Sequence, residues 1–288
     1  MKVVVTGARG MLGEDVVEVL QKKHELIPVD ITGSPAVELD VTVPQSVLSL
    51  FKAERPDMVV HTAGWRDVDG CEENRERALL INTLGAKNVA LACRLYDAAM
   101  IHISTDYVYS GGGKRAVTEF CPTDPVNFYG YSKLKAEGEI TALLGEFFIL
   151  RLPFLFGRGG RKENNPLQQT VSLLQKGEKV EATTDQICSP THTLDVARVI
   201  ERMMETELYG IYNVSSSGEA SRYDLYWELA TLCGLDTRLL IPVKSVIKKA
   251  RRSHYTVFNA LAYERTFKAG PGHWREALRE CVERIKAG

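Results

Sequence analysis

The sequence predicts an α/β fold, a doubly wound parallel sheet with a smaller, discontinuous second lobe. Three observations lead there. Short apolar, β-branched runs without polar alternation recur through the first half, as expected of strands covered on both faces. Stretches of helical hydrophobic period lie between them. A glycine-rich turn, with Gly7, Gly10 and Gly13, follows directly on the first run.

In chain order, the runs at 3–6, 26–29, 58–62, 100–104 and 147–152 read as strands. The stretch 13–23 carries Val16, Val17 and Leu20 on one side of a helix. A second helix covers 47–53. One long helix is expected over 75–97, with Leu79, Leu80, Thr83, Val89 and Leu91 at its spacing, and another over 129–144. Strands alternating with helices imply βαβ units and a Rossmann-type sheet. After Arg151 the rhythm changes. The polar, Gly-rich, basic segment 157–166 reads as an exposed, mobile loop. A helix at 167–175 and a helix–strand pair at 193–204 and 210–214 follow. The stretch 219–262 reads as one more helix with irregular segments, and 273–287 as a terminal helix containing Trp274 and Leu278. Residues 1–152, with about 190–216 and 260–288, are therefore assigned to the nucleotide-binding domain. About 153–189 and 217–259 form the smaller lobe.

Composition bounds the function. The 288 residues carry 36 Lys+Arg against 37 Asp+Glu, a net charge of −1, so neither nucleic acid nor an anionic membrane surface is an expected partner. No apolar run approaches the ~18 residues of a membrane span, and the first residues read as strand and turn rather than signal peptide. Six scattered cysteines without a C-x-x-C read as reduced thiols of a cytoplasmic protein.

The turn V-V-V-T-G-A-R-G-M-L-G spaces its glycines as G-x-x-G-x-x-G. Glycine permits positive φ and close approach of backbone N–H groups to a pyrophosphate, and the helix start adds partial positive charge. Gly7, Arg9, Gly10, Met11, Leu12 and Gly13 are thus candidate cofactor-binding residues. Asp30 ends the second strand, where a carboxylate accepts a ribose 2′-OH and favours NAD(H). Arg9 would instead attract the 2′-phosphate of NADP(H), so both cofactors stay open. Asp40 and Val41 are candidates for the adenine end, and Ala63–Gly64 for close passage of the chain beside the cofactor.

The run I-H-I-S-T-D places Ser104 and Thr105 at the carboxyl end of a strand, the edge where such sheets bind ligands. Tyr129 and Lys133 lie one helical turn apart, and so do Tyr131 and Lys135. Two residues are about 200° around a helix, so only one pair faces a cofactor, and periodicity leaves both open. A carbonyl reductase needs a proton donor. For Tyr to act near pH 7 its pKa of about 10 has to fall by about 3, roughly 4 kcal/mol, and a nearby ammonium and a nicotinamide cation act in that direction.

Together these residues resemble the extended short-chain dehydrogenase/reductase family, with Thr105, Tyr129 and Lys133 matching its Ser/Thr–Tyr–Lys triad. Within it the likeness is to the dTDP-4-dehydrorhamnose reductases. It is carried by S-T-D-Y-V-Y (104–109), Y-G-Y-S-K (129–133) and D-Q-I-C-S-P-T (185–191), with Val68–Asp69 and Asn82 also in place. The resemblance runs to about residue 215. It implies reduction of the 4-keto group of a nucleotide-linked 6-deoxysugar with NAD(H) or NADP(H), Tyr129 as proton donor and Lys133 on the nicotinamide ribose. It also implies that the smaller lobe, about 153–189 and 217–259, is the substrate-binding lobe. Thr105 or Ser104 would hold the carbonyl oxygen, and Val68, Thr105, Asp106, Tyr107 and Phe154 would meet the substrate. Phe154 stands where the family commonly has Trp, and the carboxyl-terminal motif survives only as R-R-S-H-Y-T-V-F-N (251–259), so the particular sugar is left open. Tyr107 replaces the Glu of the 4,6-dehydratases, against dehydration. An epimerase, or a cofactor-binding regulatory protein like the β subunit of methionine adenosyltransferase, is the alternative. A homodimer is compatible with this reading.

The basic stretch 244–252, like Arg158 and Arg161, is expected to be a solvated face or to meet a diphosphate. His61 and His102 are expected to pack inside. The acidic group Asp67, Asp69, Glu72 and Glu73 reads as charge at a helix start rather than a metal site, and no metal is expected. Trp65 is a candidate for the cleft mouth.

Overall fold

The computed structural model describes residues 1–287 apart from 34, 162, 164, 247, 248 and 269. The expected βαβ units are present. β1 (Lys2–Thr6), α1 (Met11–Leu20), β2 (Glu25–Asp30), β3 (Val37–Glu38), α2 (Pro44–Glu54) and β4 (Met58–His61) come first. The short helices α3 (Val68–Glu73) and α4 (Arg75–Ala78) lead to α5 (Gly85–Tyr96). β5 (Ala99–Thr105), α6 (Phe128–Leu143) and β6 (Phe147–Leu152) complete this half.

The second half is made of shorter pieces: β7 (Leu155–Phe156), α7 (Pro166–Gln175), β8 (Val180–Thr183), β9 (Ile187–Cys188) and β10 (Thr191–His192). α8 (Thr193–Met204) and β11 (Gly210–Asn213) return to the main sheet. Then come β12 (Ala220–Ser221), α9 (Arg222–Cys233), β13 (Leu240–Val243), β14 (Tyr255–Thr256), α10 (Leu261–Phe267) and α11 (Trp274–Ala287).

The seven-stranded sheet has the order β11-β6-β5-β4-β1-β2-β3, and every pair in it is parallel. The order reverses between β1 and β4, and the carboxyl ends of the strands there open a crevice. Both faces are covered. Val3, Val5, Val60, Ile101 and Leu150 pack toward α1 and α8, while Val4, Val59, Met100 and Ile149 pack toward α2, α5 and α6. A strand apolar on both faces shows no polar alternation, which explains the runs in the sequence.

The long helix expected over 75–97 is divided: a π-helical turn, Leu79–Leu84, joins α4 to α5. The wider turn carries Asn82 and Thr83 inward, where they bond Ser132 of α6, while Leu80 and Leu84 stay exposed. The segment 157–166 differs from expectation too. Glu14 of α1 accepts a hydrogen bond from the Gly160 N–H, Glu18 pairs with Arg158, and the buried Asn165 amide donates to the carbonyls of Gly157 and Gly159. The loop is therefore docked on α1; its residues 162 and 164 lie outside the described set. The second lobe has its own core of Phe156, Leu167, Leu225, Leu229 and Trp274. α11, placed from sequence with the nucleotide-binding domain, buries Trp274, Leu278 and Cys281 in this core, whereas Tyr263 of α10 joins the sheet core.

Candidate active site

A cleft of about 1100 Å³ lies at the carboxyl edge of the sheet, between it and the second lobe. Its floor begins at the glycine turn. Gly7 has φ +67°, and a Cβ on Gly13 would lie 2.1 Å from the Gly7 carbonyl oxygen, so neither position tolerates a side chain without moving the turn. Gly7, Gly10, Met11, Leu12 and Gly13 line the cleft, as do Asp30, Asp40, Val41, Ala63 and Gly64. The Asp30 carboxylate accepts the Arg9 backbone N–H at 3.1 Å. The Arg9 guanidinium itself turns past the end of β2 to the Thr32 hydroxyl and the Gly33 carbonyl, each at 3.0 Å. Asp40 accepts both the N–H and the hydroxyl of Thr42, shaping the turn before α2. This cradle of bare backbone at a helix start fits a dinucleotide.

Deeper in, β5 delivers Ser104, Thr105 and Asp106, and α6 delivers Tyr129 and Lys133, all of which reach the cleft. Asn127 caps α6 by accepting the Gly130 N–H, and any Cβ at Gly130 would strike the Tyr107 carbonyl at 2.1 Å. The helix start is thereby held close against the segment after β5. Of the two Tyr/Lys pairs, Tyr131 is 39% exposed and lies under Lys135 on the outer surface, so Tyr129 and Lys133 are the pair that faces inward. The Thr105 hydroxyl is within hydrogen-bonding reach of the Tyr129 phenol and donates to Asp106 Oδ1 at 3.1 Å. Thr256 donates to the other Asp106 oxygen at 2.6 Å. The Tyr107 ring meets Tyr129 edge-on, centroids 6.1 Å apart.

The protein groups by themselves act against the downward shift that the proton donor needs. Burial, with the Asp106 carboxylate and the Cys71 thiol nearby, pushes the Tyr129 phenol above its ordinary pKa rather than below it. Lys133 does not offset this, because its ammonium turns to His102 Nε2 at 3.1 Å. Burial brings Lys133 down to about 8 and raises Asp106 to about 6. Ser104 is used differently from Thr105: it donates to Glu137 at 2.5 Å, and Glu137 is gripped in turn by Arg151.

Val68, Tyr107 and Phe154 line the far side, and Trp65 stands at the cleft with its backbone N–H and C=O both bonded by the Asn82 amide. Sequence reasoning missed Arg222, Cys188 and Thr256, which also line the cleft. Arg222 stacks its guanidinium 3.4 Å from the Phe154 ring centroid. Cys188 falls inside the D-Q-I-C-S-P-T motif and Thr256 inside the altered carboxyl-terminal one, whereas Arg222 reaches the cleft through the second lobe's packing and leaves no local signal. Of the basic stretch, Arg252 also lines the cleft. Lys249 pairs with Glu73 and Arg252 with Asp69, while residues 247 and 248 lie outside the described set. Arg158 is held by Glu18. Asp67 caps α3 by accepting the Gly70 N–H, and Glu72 accepts the Phe128 N–H, so the acidic group braces helix starts. Among the described residues, His192, Asp195 and Glu280 lie close enough to share a cation, but Arg198 already pairs with both carboxylates. No helix among the described residues is long and apolar enough to cross a membrane.

Comparison with known proteins agrees with this geometry. The profile of the family described as RmlD substrate binding domain matches residues 1–287. The spore coat polysaccharide biosynthesis protein SpsK of Bacillus subtilis is 35% identical over 286 residues, which are 98% of this chain and 97% of that protein. A dTDP-4-keto-6-deoxy-D-glucose reductase of Streptomyces niveus is 34% identical over 287 residues, 99% and 97% of the two chains. The crystal structure of a dTDP-4-dehydrorhamnose reductase of Bacillus anthracis in complex with NADP superposes with a TM-score of 0.92 at 30% identity, covering 98% of this chain and 99% of that one. With its motifs, its sheet order and its cleft all of one kind, the chain belongs to the RmlD substrate-binding-domain family, within the extended short-chain dehydrogenase/reductases.

Proposed function

We propose that this protein reduces the 4-keto group of a nucleotide-linked 6-deoxyhexose, using NAD(H) or NADP(H). The observation that carries the reading is the convergence of Thr105, Tyr129 and Lys133 in one cleft with the glycine turn. The similarity to the Streptomyces reductase over nearly the whole chain supports the substrate class. The dinucleotide, when bound, supplies the hydride. The turn at Gly7–Gly13 would hold its pyrophosphate, Asp30 its adenosine ribose and Lys133 its nicotinamide ribose.

In this reading the Thr105 hydroxyl turns its one proton from Asp106 to the carbonyl oxygen, and Tyr129 gives that oxygen its proton as C4 is reduced. Burial keeps the phenol protonated before reaction, and the positive charge that develops on the nicotinamide as the hydride leaves would lower its pKa as the proton is given up. Lys133, its ammonium turned to His102, would act on the ribose rather than on the phenol. Val68, Asp106, Tyr107 and Phe154 line the space for the sugar. Tyr107 stands where the 4,6-dehydratases carry their Glu, which speaks against dehydration, and burial raises its phenol to about 12.

The test is NAD(P)H oxidation with a dTDP-4-keto-6-deoxyhexose, run beside a cofactor titration. Reduced cofactor should be consumed in proportion to ketosugar. Tyr129→Phe should lower turnover by about 10²-fold or more while leaving cofactor affinity intact, and Tyr131→Phe should change neither. Cofactor bound with no ketosugar reduced would instead favour a regulatory binding protein.

A further inference from the structure

Two buried histidines are not used by that chemistry. His61 on β4 and His102 on β5 are register partners, and their rings stack with centroids 5.3 Å apart at 21°. His61 Nδ1 meets the Thr6 hydroxyl of β1 at 2.7 Å. His102 Nε2 meets Lys133 Nζ at 3.1 Å, and its Nδ1 has no partner among the described residues. An ammonium can only donate, so against charged Lys133 the His102 ring has to be neutral with its proton on Nδ1. The environment enforces this: burial and the Lys133 charge hold His102 well below its ordinary pKa.

We propose that His102 is the positioning residue for Lys133, its neutral ring accepting one hydrogen bond from the ammonium and leaving the other two donors for the cleft. The role assigned to Lys133 rests on the reductase reading. His102 does not itself line the cleft, and its stack on His61, which is anchored to Thr6, would keep its ring from rotating. No other group facing Lys133 among the described residues is placed to do this. Glu137, one turn along α6, raises the Lys133 pKa through its charge alone, since its oxygens are bonded to Ser104 and to two nitrogens of Arg151 from β6, and that charge is present in wild type and variants alike. Tyr129 and Asp106 lie at the cleft and bond through Thr105. His61 is turned to Thr6.

A partner that accepts from the charged form holds an amine's pKa up. Without His102, burial acts on Lys133 unopposed by that bond, and the ammonium is lost at lower pH. Wild-type NADPH affinity should therefore weaken as pH rises through about 8, where Lys133 deprotonates. His102→Leu should move that break about one pH unit toward acid. His102→Gln, whose side-chain carbonyl can reach the Nε2 position, should restore it.

The experiment is fluorescence titration of NADPH into the whole protein from about pH 6 to about pH 9.5, for wild type and both variants. Thermal melts check the fold, and kcat/KM is followed where ketosugar is turned over. A His102→Leu protein with the wild-type break, or one weakened equally at every pH and not restored by Gln, overturns the proposal. Should the Leu variant fail to fold, ¹⁵N resonances of His102 in the wild type decide. A proton on Nδ1 is expected, and a proton on Nε2 overturns it. Absence of ketosugar turnover with the pH break intact would sink the reductase reading alone, since the binding break still reads His102.

Discussion

At the scale of single residues, Asp106 is the most instructive group. Its carboxyl is buried between the hydroxyls of Thr105 and Thr256, and burial raises its pKa to about 6 from an ordinary 3.8. A folded-state pKa above the unfolded value means that the native protein binds the extra proton between those two values. Stability is therefore greatest at low pH and falls as pH rises through 6. The full difference of about 2 in pKa corresponds to at most ~3 kcal/mol at neutral pH. Asp106→Asn should thus raise the melting temperature at pH 8 and have little effect near pH 4, as calorimetry at the two pH values would check; equal effects at both would contradict it. The same carboxylate helps keep Tyr129 protonated. The Asn variant should therefore also shift the pH dependence of ketosugar reduction. Sequence placed Asp106 beside the substrate but carried no sign of its burial.

At the scale of elements, a buried polar network ties four pieces of the sheet half together. Glu137 of α6 accepts from Ser104 of β5 and from two Arg151 nitrogens of β6, and Arg151 also donates to the Tyr109 hydroxyl at 2.7 Å. Tyr109 donates its own proton to Asn213 of β11 at 3.0 Å. The Glu137–Arg151 pair is only 4–6% exposed, so removing one partner strands a charge. Glu137→Ala should cost about 3–5 kcal/mol in urea unfolding. Because Glu137 lies one turn beyond Lys133, the loss should reach the cleft and lower cofactor affinity as well. A variant as stable as wild type would show the pair to be dispensable. The helix carrying both residues was legible from its period and its Tyr-x-x-x-Lys spacing, but its inward face was not. Its two Tyr/Lys pairs are equivalent in spacing, so periodicity left the choice to the motif, and packing against β5 buries one and exposes the other.

For the whole molecule, the cleft joins the sheet edge to a lobe assembled from β7–β10, α7, α9 and α11. A dinucleotide held across the turn and the ends of β2, β4 and β5 should bind only the folded chain. NADPH at about 100 times its dissociation constant should then stabilise by ~2.7 kcal/mol, on the order of 5 °C in melting temperature for a chain of this size. Differential scanning fluorimetry reads this directly, and no shift with either NADPH or NADH would contradict the cofactor assignment. The docked loop at Glu14 and Glu18 adds to the same surface. It looked mobile in sequence because Gly, Arg and Asn are common in free loops; carboxylates from a helix about 140 residues earlier hold it.

The chain's local chemistry determined the strands, the helices, the glycine turn and the family-like triad, since each is written in residues close together in sequence. The tertiary structure alone decided that Lys133 turns to His102, that Arg222 and Thr256 reach the site, and that α11 serves the second lobe. Those outcomes depend on burial and on contacts between segments far apart along the chain. Hydrophobic period and motif spacing report only what a segment can do by itself; desolvation and partner choice arise when distant segments meet.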